Sequence, residues 1–218
     1  MSATFDATFD AVSAYDAAFT GRSTQVIDPH GQAEPFDVGQ WSSAPDWVDR
    51  ALFIDPCDAS TIDVGCGPGR LVGEIAARDI PAMGIDVSIE AVRQTRVRGA
   101  LALHSDVFGD IPGEGTWSYA LLADGNLGIG GDPVQLLKRL GEVLAPDGHV
   151  ITEVDADGVG YVREHRRLRV DGRMSAPFAW ARVGLDAIED IAALAGMQVV
   201  GTRTEGGRHA ATLVRARP

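Results

Sequence analysis

The sequence predicts an α/β fold, a doubly wound and mostly parallel sheet closed by an antiparallel hairpin at its C-terminal end. Three observations carry that expectation. Short apolar runs alternate with amphipathic helical patterns from residue 46 to residue 154, the order in which parallel strands and crossover helices occur. The first run, Thr61-Ile62-Asp63-Val64, leads straight into Gly65-Cys66-Gly67-Pro68-Gly69 and then into a helical pattern. Such a turn lets backbone approach a ligand closely, and the helix behind it offers unpaired N–H groups to a polar or anionic group. Finally, Asp63, Asp86, Asp106 and Asp124 each fall at the end of a predicted strand, where open α/β sheets bind their ligands.

The elements follow in order. Phe5, Phe9, Val12, Ala14, Tyr15 and Phe19 recur at three- and four-residue steps and predict a short helix over 4–19. Residues 20–45 contain Gly21, Pro29, Gly31, Pro35, Gly39 and Pro45 and are expected to be mostly irregular. Trp41 and Trp47 lie in or beside that stretch, either packing on the domain or lining a pocket mouth. A helix over 46–57 precedes strand 61–64, and Leu71, Val72, Ile75 and Ala76 give the next helix its buried face. Strand 82–85 ends in Asp86, Ser88 caps a helix running to Arg98, and strand 100–103 leads to Asp106.

Strand 117–122 is followed by Ala123, Asp124 and a glycine-rich turn. Asp132-Pro133-Val134-Gln135 combines an N-cap, a proline in the first turn and a capping-box glutamine. That helix is expected to stop at Pro146-Asp147-Gly148, before strand 149–154. Asp171-Gly172 marks a hairpin turn inside an excursion over 161–183. A last helix ends at Gly196, and strands 197–204 and 209–214 join through Gly206-Gly207.

A chain of 218 residues and 23.0 kDa is most simply one domain. Within it, 1–45 reads as an N-terminal helix and cap, 46–160 as a nucleotide-binding core, 161–183 as an excursion or lid, and 184–218 as the final helix and hairpin. The net charge of −12 divides as −8 over 1–60, −8 over 61–160 and +4 over 161–218. Such an acidic chain lacks the basic footprint of a general nucleic-acid binder. Cys57 and Cys66 form no metal-ligand pair, the five histidines are scattered, and no metal is expected. Cys66 reads as a small packing residue. The first nineteen residues carry no basic side chain, unlike a secretory signal, and no apolar run is long enough to span a bilayer. A soluble, cytoplasmic protein is expected.

The glycine spacing is G-x-G-x-G, not the G-x-G-x-x-G of dinucleotide-binding folds, with Asp86 placed for a ribose. The Tyr-x-x-x-Lys pair of small dehydrogenases is absent, since four residues before Lys138, the single lysine, stands Val134. Asp63 to Gly69, Asp86, Asp106-Val107-Phe108 and Leu144-Ala145-Pro146-Asp147-Gly148 together resemble the class I S-adenosylmethionine-dependent methyltransferases. The resemblance covers about residues 50–155, and the final helix and hairpin fit that family's Rossmann-like sheet of seven strands.

The resemblance implies S-adenosyl-L-methionine as cofactor, S-adenosyl-L-homocysteine as product, and roles for matching residues. Gly65, Cys66, Gly67 and Gly69 form the turn against the cofactor, and Asp63 helps hold its amino group. Asp86 takes the ribose hydroxyls, Val87 packs on the adenine, and Asp106 and Val107 meet the adenine edge. Ala123 and Asp124 continue the pocket under the methionine arm. Each aspartate has a plainer alternative as a strand-end cap or turn former.

For the acceptor, Asp124-Gly125-Asn126-Leu127 differs from the Asn-Pro-Pro-Tyr of amino-group methylases of nucleic acids and proteins. A small-molecule acceptor methylated at oxygen, nitrogen or carbon is therefore expected, with no nucleic acid or membrane partner. His165 is the candidate general base, with Tyr15 and Tyr161 behind it. Arg163, Arg166, Arg167, Arg169 and Arg173 form either a solvated strand face or an anionic-substrate clamp. An NAD(P)-dependent oxidoreductase, a silent S-adenosylmethionine-binding subunit and an RNA methyltransferase are the alternatives.

Overall fold

A computed structural model describes residues 9–36 and 38–217. Two sheets organise it. The larger follows the predicted alternation: β3 (Thr61–Val64), β4 (Ala82–Asp86), β5 (Leu101–His104), β6 (Trp117–Leu122) and β7 (Leu144–Val154) run parallel. The hairpin of β11 (Met197–Glu205) and β12 (Arg208–Arg215) joins through antiparallel pairing of β12 with β7. The strand order is β11-β12-β7-β6-β3-β4-β5. Its order reverses beside β3, so β3 and β6 open the crevice where such folds bind ligands.

Helices cover both faces. On one side α6 (Pro133–Val143) and α7 (Ile188–Leu194) bury Leu136, Leu137, Leu140, Val143, Ile188 and Ile191 over β6 and β7. Each such side chain contributes roughly 1.5–3 kcal/mol relative to exposure. On the other side lie α4 (Arg70–Ala76) and α3 (Trp47–Asp49), which continues into a π-helical turn Arg50–Ile54. Helix α5 (Ile89–Val97) starts at Ser88, whose hydroxyl accepts from Ala91 N at 3.1 Å. Helix α6 starts at Asp132, which accepts from Gln135 N at 2.9 Å. It stops at Val143, three residues before Pro146, because Leu144 is drawn into pairing with Trp117.

The second sheet corrects the expectation of an irregular 20–45. There β1 (Thr24–Ile27) and β2 (Ala33–Pro35) form a hairpin, and α2 (Val38–Ser42) follows. Asp28 makes the turn by accepting from His30 N at 2.9 Å and Gln32 N at 2.7 Å. Strand β1 then pairs with β8 (Tyr161–Val170), which pairs with β9 (Arg173–Met174) and β10 (Phe178–Val183). Asp171 and Gly172 turn β8 into β9 with φ of 46° and 82°, the positive pair that a type I′ hairpin requires.

This sheet and helix α1 (Ala11–Phe19) share a small core of Ala14, Leu168 and Val170, with Tyr15, Val26, Phe36 and Phe178 packed against it. Helix α1 begins at Asp10, and the part of the predicted helix before Phe9 lies outside the described residues. Its Asp16 reaches α5, accepting from Ser88 Oγ at 2.6 Å and Glu90 N at 3.1 Å. Gln94 of α5 answers by donating to Phe19 O at 2.7 Å. The N-terminal segment and the excursion therefore form one layer, fastened over the carboxyl ends of the parallel strands.

Candidate active site

Between the two layers lies a cavity of about 670 Å³, within the range of small-molecule sites. Its floor is the glycine turn. Gly65 and Gly67 adopt φ of 70° and 53° and line the cavity. The turn is held from three sides. Thr95 Oγ1 donates to Gly67 O at 2.8 Å, and Asn126 Nδ2 donates to the carbonyls of Val64 and Gly65 at 2.9 Å each. Asp86 accepts from Gly67 N at 2.9 Å and from Ser88 N at 2.8 Å, joining the turn to the start of α5. Burial pushes the Asp86 carboxyl up, against the lowering effect of those two N–H groups.

Two turn residues serve close packing, one of them while also lining the cavity. Gly69 does not border the cavity; a Cβ there would stand 2.6 Å from Thr95. Its smallness lets α4 and α5 approach. Cys66 borders the cavity, but its Sγ lies where a Cβ at Gly84 would meet it at 2.5 Å. Burial raises that thiol well above its ordinary range, so it stays protonated.

The other predicted floor residues converge. Val87, Asp106, Val107, Ala123 and Asp124 all line the cavity. Asp106 accepts from Phe108 N at 3.0 Å, which fixes the turn after β5. Asp63 is 2% exposed, and burial, reinforced by the charge of Asp124 and opposed by Arg70, pushes its carboxyl up to about 7.

Beside Asp63 stands a charge network that sequence reasoning did not find. Arg70, the first residue of α4, pairs with Asp49 and, at 2.6 Å, with Asp124. Arg208, just past the Gly206-Gly207 turn, pairs with Asp49 at 2.8 Å and Asp124 at 3.2 Å, closing a ring. Glu153 joins it by accepting from Arg208 Nε at 2.8 Å and from Asp124 N at 2.6 Å. Arg70 borders the cavity, and its Nε is a buried donor without a partner. Residues 49, 70, 124, 153 and 208 are scattered along the chain, so no local motif announces them.

The roof is aromatic. Tyr15 and Phe19 of α1, Phe36, Trp41 of α2, and Phe178 and Trp180 of β10 line it. Phe36 meets Trp41 edge-on at 4.7 Å between ring centroids and Tyr15 at 5.5 Å. Trp41 thus takes its pocket reading, while Trp47 is 61% exposed and outside the cavity. Sequence reasoning missed Phe36, Phe178 and Trp180 because nothing local ties them to residues 15–19.

Of the candidate bases, His165 is corrected. It is exposed and does not border the cavity. Neighbouring strand residues point to opposite faces, and Arg166 takes the inward one. Tyr161 is 46% exposed and likewise outside the cavity. Tyr15 borders it, but burial and the nearby Asp86 raise its phenol, which stays protonated. The arginine cluster divides as well. Arg167 donates to Ser175 O at 3.0 Å and Arg169 to Gln25 at 2.6 Å, while only Arg166 of the five borders the cavity.

Among the described residues, no group of three His, Cys, Asp or Glu side chains is arranged to hold a metal. Nor is any helix among them long and apolar enough to cross a membrane.

A family model described as a methyltransferase domain matches residues 39–200. No curated protein matches the chain in sequence. Among solved structures, an S-adenosylmethionine-dependent methyltransferase from Bacteroides fragilis in complex with S-adenosyl-L-homocysteine is similar, with a TM-score of 0.75 and 21% identity over 95% of each chain. The 1,6-didemethyltoxoflavin-N1-methyltransferase of Burkholderia thailandensis has a TM-score of 0.60 and 15% identity over 100% of this chain and 94% of its own. The CcbJ methyltransferase of Streptomyces caelestis has a TM-score of 0.61 and 13% identity over 81% and 92%.

Proposed function

The chain belongs to the methyltransferase-domain family, and from that premise we propose that it transfers a methyl group from S-adenosylmethionine to a small-molecule acceptor. One observation carries the acceptor class: the polar floor and the aromatic roof bound a single cavity of about 670 Å³. That is space for a cofactor and a compact acceptor, not for a macromolecular strand. The Burkholderia thailandensis structure, which holds 1,6-didemethyltoxoflavin and S-adenosylhomocysteine, supports the same reading.

The donor set fits this cofactor. Asp86 offers carboxylate oxygens to the ribose hydroxyls, and Asp106 and the Val107 backbone flank the adenine position. The unpartnered Arg70 Nε is a donor available to the methionine carboxylate, and Asp63 is an acceptor for its ammonium. When bound, S-adenosylmethionine supplies a methyl group on a sulfonium, open to in-line displacement. The chain's own part is positioning and exclusion of water. Among the described residues that line the roof there is no histidine, lysine or carboxylate, and Tyr15 is held protonated. N-terminal segment and excursion together act as the lid that selects the acceptor.

The test is methyl transfer from labelled S-adenosylmethionine into separate pools of metabolites, RNA and protein, beside calorimetry with S-adenosylhomocysteine. Label in small molecules supports the proposal. Label in RNA, lost as salt rises, would replace it with an RNA methyltransferase. Cofactor binding with no label anywhere would indicate a silent subunit.

Asp63 adds a pH signature. The groups facing it are Arg70 from α4, Asp124 after β6 and Asp86 at the end of β4. An ammonium placed on Asp63 favours its ionised form, so cofactor binding expels the proton present below pH 7. S-adenosylhomocysteine affinity should therefore rise several-fold between about pH 6 and 8. Asp63→Asn should flatten that rise, and a flat profile in the wild type would remove Asp63 as the ammonium's partner.

A further inference from the structure

The acceptor end of the cavity differs in charge from the cofactor end. The floor carries Asp63, Asp86, Asp106 and Asp124 with Arg70 among them, while the ionisable groups that border the roof are Arg166 and the protonated Tyr15. Arg166 lies over the Trp180 ring, 5.6 Å from its centroid. It comes from β8, and Trp180 from the paired strand β10. Phe178, cross-strand partner of Arg166, packs against Tyr15 with 5.7 Å between ring centroids. Arg166 is close enough to Tyr15 to act on its phenol electrostatically, opposite in sign to Asp86. A cation and a hydroxyl donor thus stand together among flat apolar rings.

Resting on the methyltransferase reading, we propose that the acceptor is a flat aromatic acid, its ring held among the roof aromatics and its acidic group bound by Arg166 and the Tyr15 hydroxyl. Two arguments favour an anion over a neutral or cationic acceptor. A cationic acceptor would meet Arg166 across an apolar pocket where charge repulsion is poorly screened. For an anion, Arg166 attracts at the roof, while the floor's cation, Arg70, is already held by Asp49 and Asp124, which orients the molecule with its charge toward the lid. Arg166 already gives its Nε–H to Glu164 at 2.5 Å. This does not use up the guanidinium, which has five donors in a fork suited to carboxylates. In this same protein Arg70 holds two carboxylates and Arg208 holds three.

The flat shape follows from the walls. Phe36, Trp41, Phe178 and Trp180 line the cavity and pack on one another edge to face, and aromatic rings favour a flat aromatic partner beyond the area it buries. Gly67 lies below Phe19, whose Cζ would stand 3.9 Å from a Cβ there. Lid and cofactor turn are therefore close at that point.

The experiment measures equilibrium binding to protein saturated with S-adenosylhomocysteine, using three bicyclic probes: 2-naphthoate, 2-naphthamide and 2-(aminomethyl)naphthalene. The acid should bind at least about ten-fold tighter than the amide, a difference of about 1.4 kcal/mol, with the amine weakest. Arg166→Gln should bring the acid to within about two-fold of the amide, the amide losing less than the acid, while S-adenosylhomocysteine affinity stays unchanged. Arg166→Lys should retain part of the preference, and Tyr15→Phe should weaken the acid more than the amide. Retained S-adenosylhomocysteine affinity certifies that each variant is folded. Equal binding of acid and amide, preference for the amine, equal losses for both probes in Arg166→Gln, or no binding of any probe would each overturn the assignment. Failure to bind S-adenosylhomocysteine at all would instead sink the underlying methyltransferase reading.

Discussion

Replacing Arg70 by methionine is expected to cost about 2–3 kcal/mol of stability, less than stranding a buried charge outright, because Arg208 still pairs with Asp49 and Asp124. Asp49 is 2% exposed, so it cannot turn to water when Arg70 goes and is left with Arg208 alone. Methionine fills similar volume, which keeps a cavity from dominating the loss. Burial raises the Asp49 carboxyl, but hydrogen bonds from Arg70 and Arg208 outweigh it and hold the group below its ordinary value. A carboxylate depressed in this way stabilises the fold above its unfolded pKa of about 3.9 and loses that contribution as pH falls through the folded value. The penalty should be full at pH 7 and should shrink below about pH 4. Urea unfolding of wild type and Arg70→Met at both pH values measures it. A loss under about 1 kcal/mol at pH 7 would place the ring among weak surface pairs. S-adenosylhomocysteine affinity should fall as well, since the unpartnered Nε leaves with the side chain.

Asp86→Ala is expected to weaken S-adenosylhomocysteine binding ten-fold or more, on the order of 1.5–3 kcal/mol for hydrogen bonds to a charged group. The free protein already uses this carboxylate, which accepts from Gly67 N and Ser88 N. Alanine therefore removes the proposed ligand for the ribose and loosens the turn beneath it. Asp86→Asn separates these effects, because its carbonyl oxygen can still accept from one of the two N–H groups. The asparagine variant should keep the wild-type melting temperature more closely than the alanine variant, yet lose most of the affinity. Unchanged affinity in both, measured by calorimetry, would refute the ribose assignment.

Much of the larger sheet was legible in the chain, since each strand and helix there is signalled by neighbours a few residues away. Ser88 and Asp132 cap the helices they were expected to cap. Asp171-Gly172 and Gly206-Gly207 turn where such pairs must, with positive φ throughout. Strand β1 failed to show itself because four residues carry little periodicity. It is held between β2, its hairpin partner, and β8, which lies more than 130 residues away.

The site divides in the same way. The glycine turn, Asp63, Asp86 and Asp106 are placed by the strands that carry them, so sequence alone determined the floor. Gly69 carried the same motif signal, yet serves close packing against Thr95, while Cys66 both packs on Gly84 and lines the cavity. His165 and Arg166 differ by one position, and one residue of register reverses the face a strand side chain takes. The Asp49, Arg70, Asp124, Glu153 and Arg208 network, and the roof that joins residues 15–41 to 166–180, arise only when distant segments meet. Local patterns fix backbone conformation and thereby the donor's seat. Tertiary contact decided which aromatic rings and which arginine face it, because no interaction within a few residues selects them.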